Sequence, residues 1–125
     1  MQWYIFGANK NLDAMDVDLV SGKIGLYDST GGSVGILTFG SPAFGVATGG
    51  EIVANAIASD TSSAGGTISY GDLLDSLNNP YMRLSVSTND STSDTDLKIS
   101  SLTIPEGETI KVNAGNFTAY YDTID

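Results

Sequence analysis

The nearest this sequence comes to a cluster of reactive groups is NDSTSDTD (Asn89–Asp96), which places Asp90, Asp94 and Asp96 in one short polar stretch. Carboxylates on a loop are what a hard cation such as Ca2+ requires, so these three residues form the candidate Ca2+ loop. The spacing lacks the glycine and terminal Glu of an EF-hand. A solvated acidic hairpin loop explains the segment better, and no metal and no cofactor is assigned. Asp13, Asp16 and Asp18 form a second acidic group, which reads as a solvent-facing strip.

Other chemistry is limited by what the chain lacks. It contains no His and no Cys, so the commonest general base, thiolate nucleophiles and the commonest metal ligands are all missing. Neither a Ser–His–Asp nor a Cys–His set can be assembled, and no two carboxylates are paired by the sequence across a site. Gly31–Gly32 and Gly49–Gly50 are not phosphate loops, because neither sits between a strand and a helix with a following Lys. They read as hairpin turns, and the expectation is a protein that is not an enzyme. Aromatic side chains offer one further chemistry, sugar stacking through Trp3, Tyr27, Tyr70, Tyr81, Tyr120 or Tyr121, although Tyr in a β protein more often fills strand faces.

The elements that would position these groups follow from patterning. Leu97 and Ile99 alternate with polar residues, as do Ile110, Val112 and Ala114, which puts one face of each strand into a core. Pro105–Glu106–Gly107 turns the chain between them. Phe117, Ala119 and Tyr121 fall on the opposite parity, which predicts a bulge or bend at Gly115–Asn116. Lys23–Asp28 and Val34–Phe39 read as two strands joined at Gly31–Gly32, and Phe44–Thr48 and Glu51–Ala58 as two more joined at Gly49–Gly50. Thr67–Tyr70 and Tyr81–Thr88 are further strands, the latter with Met82, Leu84 and Val86 inward and Arg83, Ser85 and Ser87 outward.

Two segments carry helical spacing. Asn9–Val20 has Leu12, Met15, Leu19 and Val20, with Asn9 or Asn11 as a cap. GDLLDSLNNP (Gly71–Pro80) has Leu73, Leu74 and Leu77 and is expected to form a helical turn or excursion ended by Pro80. The predicted class is all-β, an antiparallel β-sandwich of about eight short strands with one or two short helical segments. Residues 1–8 are expected to be an N-terminal arm or first strand, and residues 9–125 a single sandwich domain.

With 125 residues the chain suits one domain with a sizeable core. Fifteen acidic against five basic residues give a net charge of −10, which repels phosphate backbones, so nucleic acid is not expected as a direct partner. No apolar run reaches the ~18 residues of a membrane helix, and MQWYIFGANK lacks the pattern of a signal peptide, so no membrane partner and no export by that route are expected. The missing Cys fits folding in a reducing cytoplasm.

Three segments, taken in order, resemble a family of small β-rich proteins encoded among the structural genes of tailed bacteriophages and prophages. NLDAMDVDLVSGKIGLYDST (Asn11–Thr30) is similar to the family's leading helix, turn and first strand, with Ser29 where the family has glycine. LTFGSPAFGVATGGEIVANAIASDTSSAGGT (Leu37–Thr67) is similar to its strand, Pro–Ala–Phe–Gly step, Ala-rich strand and Ser/Thr/Asp loop. In Asp96–Ala119, DLKIS, Ile104, Gly107 and TIKVNAGNFTA are similar to its Asp–Leu–Asn–Leu step, its Ile and Gly turn and its closing strand. GDLLDSLNNP, the aromatic start MQWYIFG and Gly115–Asn116 depart from the pattern.

The resemblance implies a non-enzymatic virion component assembled in the host cytoplasm. Its leading form is a capsid decoration, or cement, protein on the capsid surface, bound to the major capsid protein and grouped with itself as a homotrimer. Trp3, Tyr4 and Phe6 are the expected partner-binding residues. A neck, tail or fibre-associated protein is the alternative within the class, and a carbohydrate-binding module for host attachment is the alternative outside it.

Overall fold

The computed structural model describes residues 2–61, 63–89, 96–112, 117–120 and 123–124. Among these the chain forms a mainly β fold with one helix, α1 (Ile5–Asp18). The strands, in chain order, are β1 (Trp3–Tyr4), β2 (Lys23–Tyr27), β3 (Ser33–Phe39), β4 (Glu51–Val53), β5 (Ile57–Ala58), β6 (Gly66–Thr67) and β7 (Tyr70–Leu74). They continue with β8 (Pro80–Leu84), β9 (Val86–Thr88), β10 (Leu97–Ile99), β11 (Thr103–Ile104), β12 (Thr118–Tyr120) and β13 (Thr123–Ile124).

The largest sheet has the order β5-β3-β2-β7-β8, all antiparallel. Its inner face carries Ile24 and Leu26 of β2, Leu37 and Phe39 of β3, Leu73 of β7 and Leu84 of β8, all buried. Antiparallel pairs β4–β12 and β6–β11 and the parallel pairs β1–β13 and β9–β10 complete the pairing. Phe39, Phe44 and Phe117 meet with ring centroids 5.3, 5.8 and 6.4 Å apart. They tie the large sheet, the segment after Pro42 and the closing strand into one core.

Two turns explain why the hairpins form where they do. After β2, the Asp28 carboxylate accepts from the Thr30 amide (2.9 Å), the Thr30 hydroxyl (2.7 Å) and the Gly32 amide (2.8 Å). After β7, Asp75 does the same work, accepting from the amides of Leu77 and Asn79 (both 2.9 Å) and the Asn79 side chain (3.0 Å). This second turn overturns the helical expectation for Gly71–Pro80. Asp75 captures the amides a helix would need, Asn78 adopts φ 66°, and β7 and β8 pair across the turn. Pro80 therefore opens a strand, and Leu77, whose spacing suggested a buried helix face, is 79% exposed.

The helix also differs from expectation. It begins at Ile5, so neither Asn9 nor Asn11 caps it, and residues 5–8 belong to the helix rather than to an arm. What precedes it is the two-residue β1, paired in parallel with β13. Ala8, Leu12, Met15 and Leu19 form the buried stripe, at successive spacings of four, three and four. Within β8, Met82 shares the parity of buried Leu84 but lies on the edge strand and is 45% exposed. Beyond β8 the inward parity predicted for Tyr81–Thr88 shifts at Ser85, which leaves Ser87 buried and Val86 only partly so. The turn at Pro105–Glu108 forms as expected, with the Glu108 amide donating to the Pro105 carbonyl and Gly107 at φ 83°. The bend predicted at Gly115–Asn116 lies outside the described residues.

At Thr48–Glu51 the backbone bonds are reciprocal, and Gly49 and Gly50 take φ 63° and 82°, the arrangement of a two-residue hairpin turn. A Cβ at Gly49 meets nothing within 4 Å, so the left-handed backbone alone penalises a side chain there. Gly49→Ala should lower stability by about 1 kcal/mol, and Gly49→Asn by less, measured as the shift in urea midpoint.

Hydrogen bonds from the Thr30 side chain and the turn amides hold Asp28 below the usual carboxylate range, and Asp75 is lowered in the same way, first by the Asn79 side chain. A lowered folded-state value means stability that is present above the unfolded value and is lost as pH falls through the folded one. The melting temperature should therefore fall as pH drops through and below the ordinary carboxylate range, and Asp28→Asn combined with Asp75→Asn should flatten that fall, as followed by circular dichroism.

Candidate interaction surface

The helix is held by one Asn and two Asp side chains. Asn9 Oδ1 accepts from the Gly50 amide at 2.9 Å, Asp13 Oδ1 from the Ala47 amide at 3.0 Å, and Asp16 Oδ1 from the Phe44 amide at 2.8 Å. Spacings of four and three put these acceptors on one flank of α1. They satisfy backbone donors of residues 44–50, a segment that pairs with a neighbour only at the isolated bridges of Phe44 and Thr48. Asp18 accepts from the Tyr81 hydroxyl at 3.2 Å and links the helix end to β8. The acidic strip faces solvent as expected at Asp13 and Asp18, which are exposed, while Asp16 is half-buried, and all three also serve as structural acceptors. The backbone partners of Asn9, Asp13 and Asp16 lie 28 to 41 residues away, beyond the reach of a spacing argument.

Of the three residues expected to bind a partner, Trp3 is half-buried, and its ring lies 3.7 Å from where a Gly7 Cβ would stand. Tyr4 and Phe6 are 68% and 76% exposed. The Lys10 ammonium lies 5.4 Å from the Phe6 ring centre, one helical turn along. The structure therefore divides the group into one residue that packs on the first helical turn and two that project.

The candidate Ca2+ loop is described only at its end. Asp90 and Asp94 lie outside the described residues, whereas Asp96 Oδ2 accepts from the amide and hydroxyl of Ser85 at 2.9 and 3.0 Å. The Asp96 amide in turn donates to Ser85 Oγ at 3.0 Å. Asp96 thus locks the start of β10 beside the end of β8. Among the described residues no group of three potential metal ligands converges.

Two of the tyrosines considered for sugar stacking, Tyr27 and Tyr70, are committed to each other. Tyr27 and Tyr70 stack with centroids 5.4 Å apart, and the Arg83 guanidinium lies 4.1 Å from the Tyr70 ring centre while bonding Asp72 at 3.1 Å. Tyr70 lies on β7, between β2, which carries Tyr27, and β8, which carries Arg83, so neighbours cover its ring from both sides. Burial raises the Tyr27 hydroxyl above the ordinary tyrosine value, with Asp72 adding to the effect. Gly25 makes this row possible, because a Cβ there would meet Tyr27 Cζ at 2.8 Å. Tyr121 and the Tyr120 side chain lie outside the described residues.

No helix among the described residues is long and apolar enough to cross a membrane. No protein-family model matches the chain, and neither a curated protein nor a solved structure matches it.

The Asp16 bond to the Phe44 amide is part-buried and charge-assisted. Asp16→Ala should cost about 1–2 kcal/mol in chemical denaturation and should speed hydrogen exchange at the Phe44 amide selectively. Asp16→Asn, which keeps an acceptor, should recover much of the loss.

Proposed function

We propose that this protein is a virion structural component of a tailed bacteriophage or prophage, a capsid decoration protein that binds the major capsid protein lattice and stabilises the head. The observation that carries this reading is the ordered resemblance of three segments spanning Asn11–Ala119. The mainly β fold is compatible with it. In this reading the five-stranded sheet and the β4–β12 and β6–β11 pairs are the two layers of a β-sandwich, enclosing the common core.

Tyr4 supplies the lattice contact. It lies in β1, paired with Ile124 of β13 and more than two thirds exposed, in a stretch that carries no carboxylate before Asp13. The acidic remainder of the chain faces outward and keeps particles mutually repelling. Sugar stacking through the Tyr27–Tyr70 row is disfavoured, since Arg83 and Tyr27 occupy the places a pyranose ring would take against Tyr70.

Quantitative mass spectrometry of purified particles tests the reading. On the order of hundreds of copies per particle, with heads that lose heat resistance when the protein is stripped and regain it on re-addition, is the expected result. About a dozen copies or fewer would move the protein to the neck or tail. Tyr4→Ala should lower occupancy on the heads without changing the melting temperature of the free protein.

A further inference from the structure

Helix α1 carries two rows of side chains with the same spacing. The buried row is Ala8, Leu12, Met15 and Leu19. The second row, Phe6, Lys10, Asp13 and Val17, is displaced by two residues, which is about 200° around the helix, and is exposed throughout. Phe6 and Val17, at its two ends, are 76% and 73% exposed. Spacings of four, three and four are those of a coiled-coil seam.

The geometry points to a second copy of this chain as the occupant, packed helix against helix in antiparallel fashion about a two-fold axis. With the axis level with the Asn11–Leu12 step, Phe6 of one copy lies level with Val17 of the other, and Lys10 level with Asp13. The apolar residues meet at both ends and opposite charges meet twice in the middle. A parallel pairing would instead set Lys10 against Lys10 and Asp13 against Asp13, so the central charges select the antiparallel orientation. Asp13 uses Oδ1 for the Ala47 amide, which leaves Oδ2 to accept from Lys10 of the second copy.

Two further features favour the pairing. Val46, 84% exposed, sits next to Ala47 on the flank pinned to Asp13 and widens the apolar surface. The helix is already held in place by its buried stripe and its three backbone partners, so association does not have to order it. Its 14 residues span about 21 Å, which gives a contact below the standard interface size, so the pair is weak, with a dissociation constant on the order of 100 µM. The pairing rests on the helix rather than on the virion reading. It assigns Phe6 to self-association and leaves Tyr4 for the lattice, and its two-fold symmetry differs from the homotrimer expected from the resemblance.

Sedimentation of the full chain from about 5 µM to about 1 mM should show a monomer passing into a dimer. Phe6→Asp and Val17→Asp should each hold the protein monomeric across that range with unchanged circular dichroism. Lys10→Glu should weaken pairing about tenfold. Because the chain has no Cys, Phe6→Cys and Val17→Cys provide a register test with a short bismaleimide. The two variants mixed should cross-link to each other, and each alone should not. A monomer at every concentration, a trimer, a dimer indifferent to Phe6→Asp and Val17→Asp, or self-linking of either cysteine variant would overturn the proposal. None of these outcomes bears on particle copy number, which tests the virion reading separately.

Discussion

The structure depends on three side-chain acceptors on one helix reaching three backbone amides of one strand-poor segment. Residues 43–47 bring Ala43, Phe44 and Ala47 into the core, yet the segment has little sheet pairing to satisfy its own donors. Asn9, Asp13 and Asp16 supply the missing acceptors. Buried backbone donors left without partners cost as much as lost hydrogen bonds, so the helix and this segment have to come together or not at all.

That constraint also explains an otherwise unfavourable helix. It has no side-chain N-cap, no acid in its first turn and no base in its last, and it carries Asp13, Asp16 and Asp18 toward the end where its dipole disfavours negative charge. Local propensity does not account for it. The buried row of Ala8, Leu12, Met15 and Leu19, at roughly 2 kcal/mol for each large side chain, and the charge-assisted bonds to residues 44–50 offset those costs. Once α1 is oriented by these contacts, Phe6, Lys10, Asp13 and Val17 must face outward, and the exposure of Phe6 and Val17 results from how the core was closed.

Much of the β architecture was legible from residue order. The Gly31–Gly32, Gly49–Gly50 and Pro105–Gly107 turns form where the residue types demand left-handed or fixed backbone angles, and Leu97, Ile99, Ile110 and Val112 are buried as their alternation requires. The reading failed where a short side chain decided between two local structures. Asp75 is one residue among leucines at helical spacing, and its carboxylate turned that stretch into a hairpin. Of the aromatic start, Tyr4 and Phe6 are exposed whereas Trp3 packs against the helix, a division that residue type alone did not show because all three are large and apolar.

By itself the sequence determined the mainly β class, the turns at Gly31–Gly32, Gly49–Gly50 and Pro105–Gly107, and a chemistry without imidazole or thiol, because these follow from residue types and from spacings of a few positions. Tertiary structure decided the duties of the charged and aromatic side chains. Asp13 and Asp16 became backbone acceptors, Asp13 while remaining exposed, Tyr70 became the middle of a stack rather than an open platform, and Asp96 became a clasp on Ser85. The physical reason is the same in each case. A polar or aromatic side chain is directed by whichever partner the fold brings within about 3–5 Å, and that partner can lie anywhere along the chain.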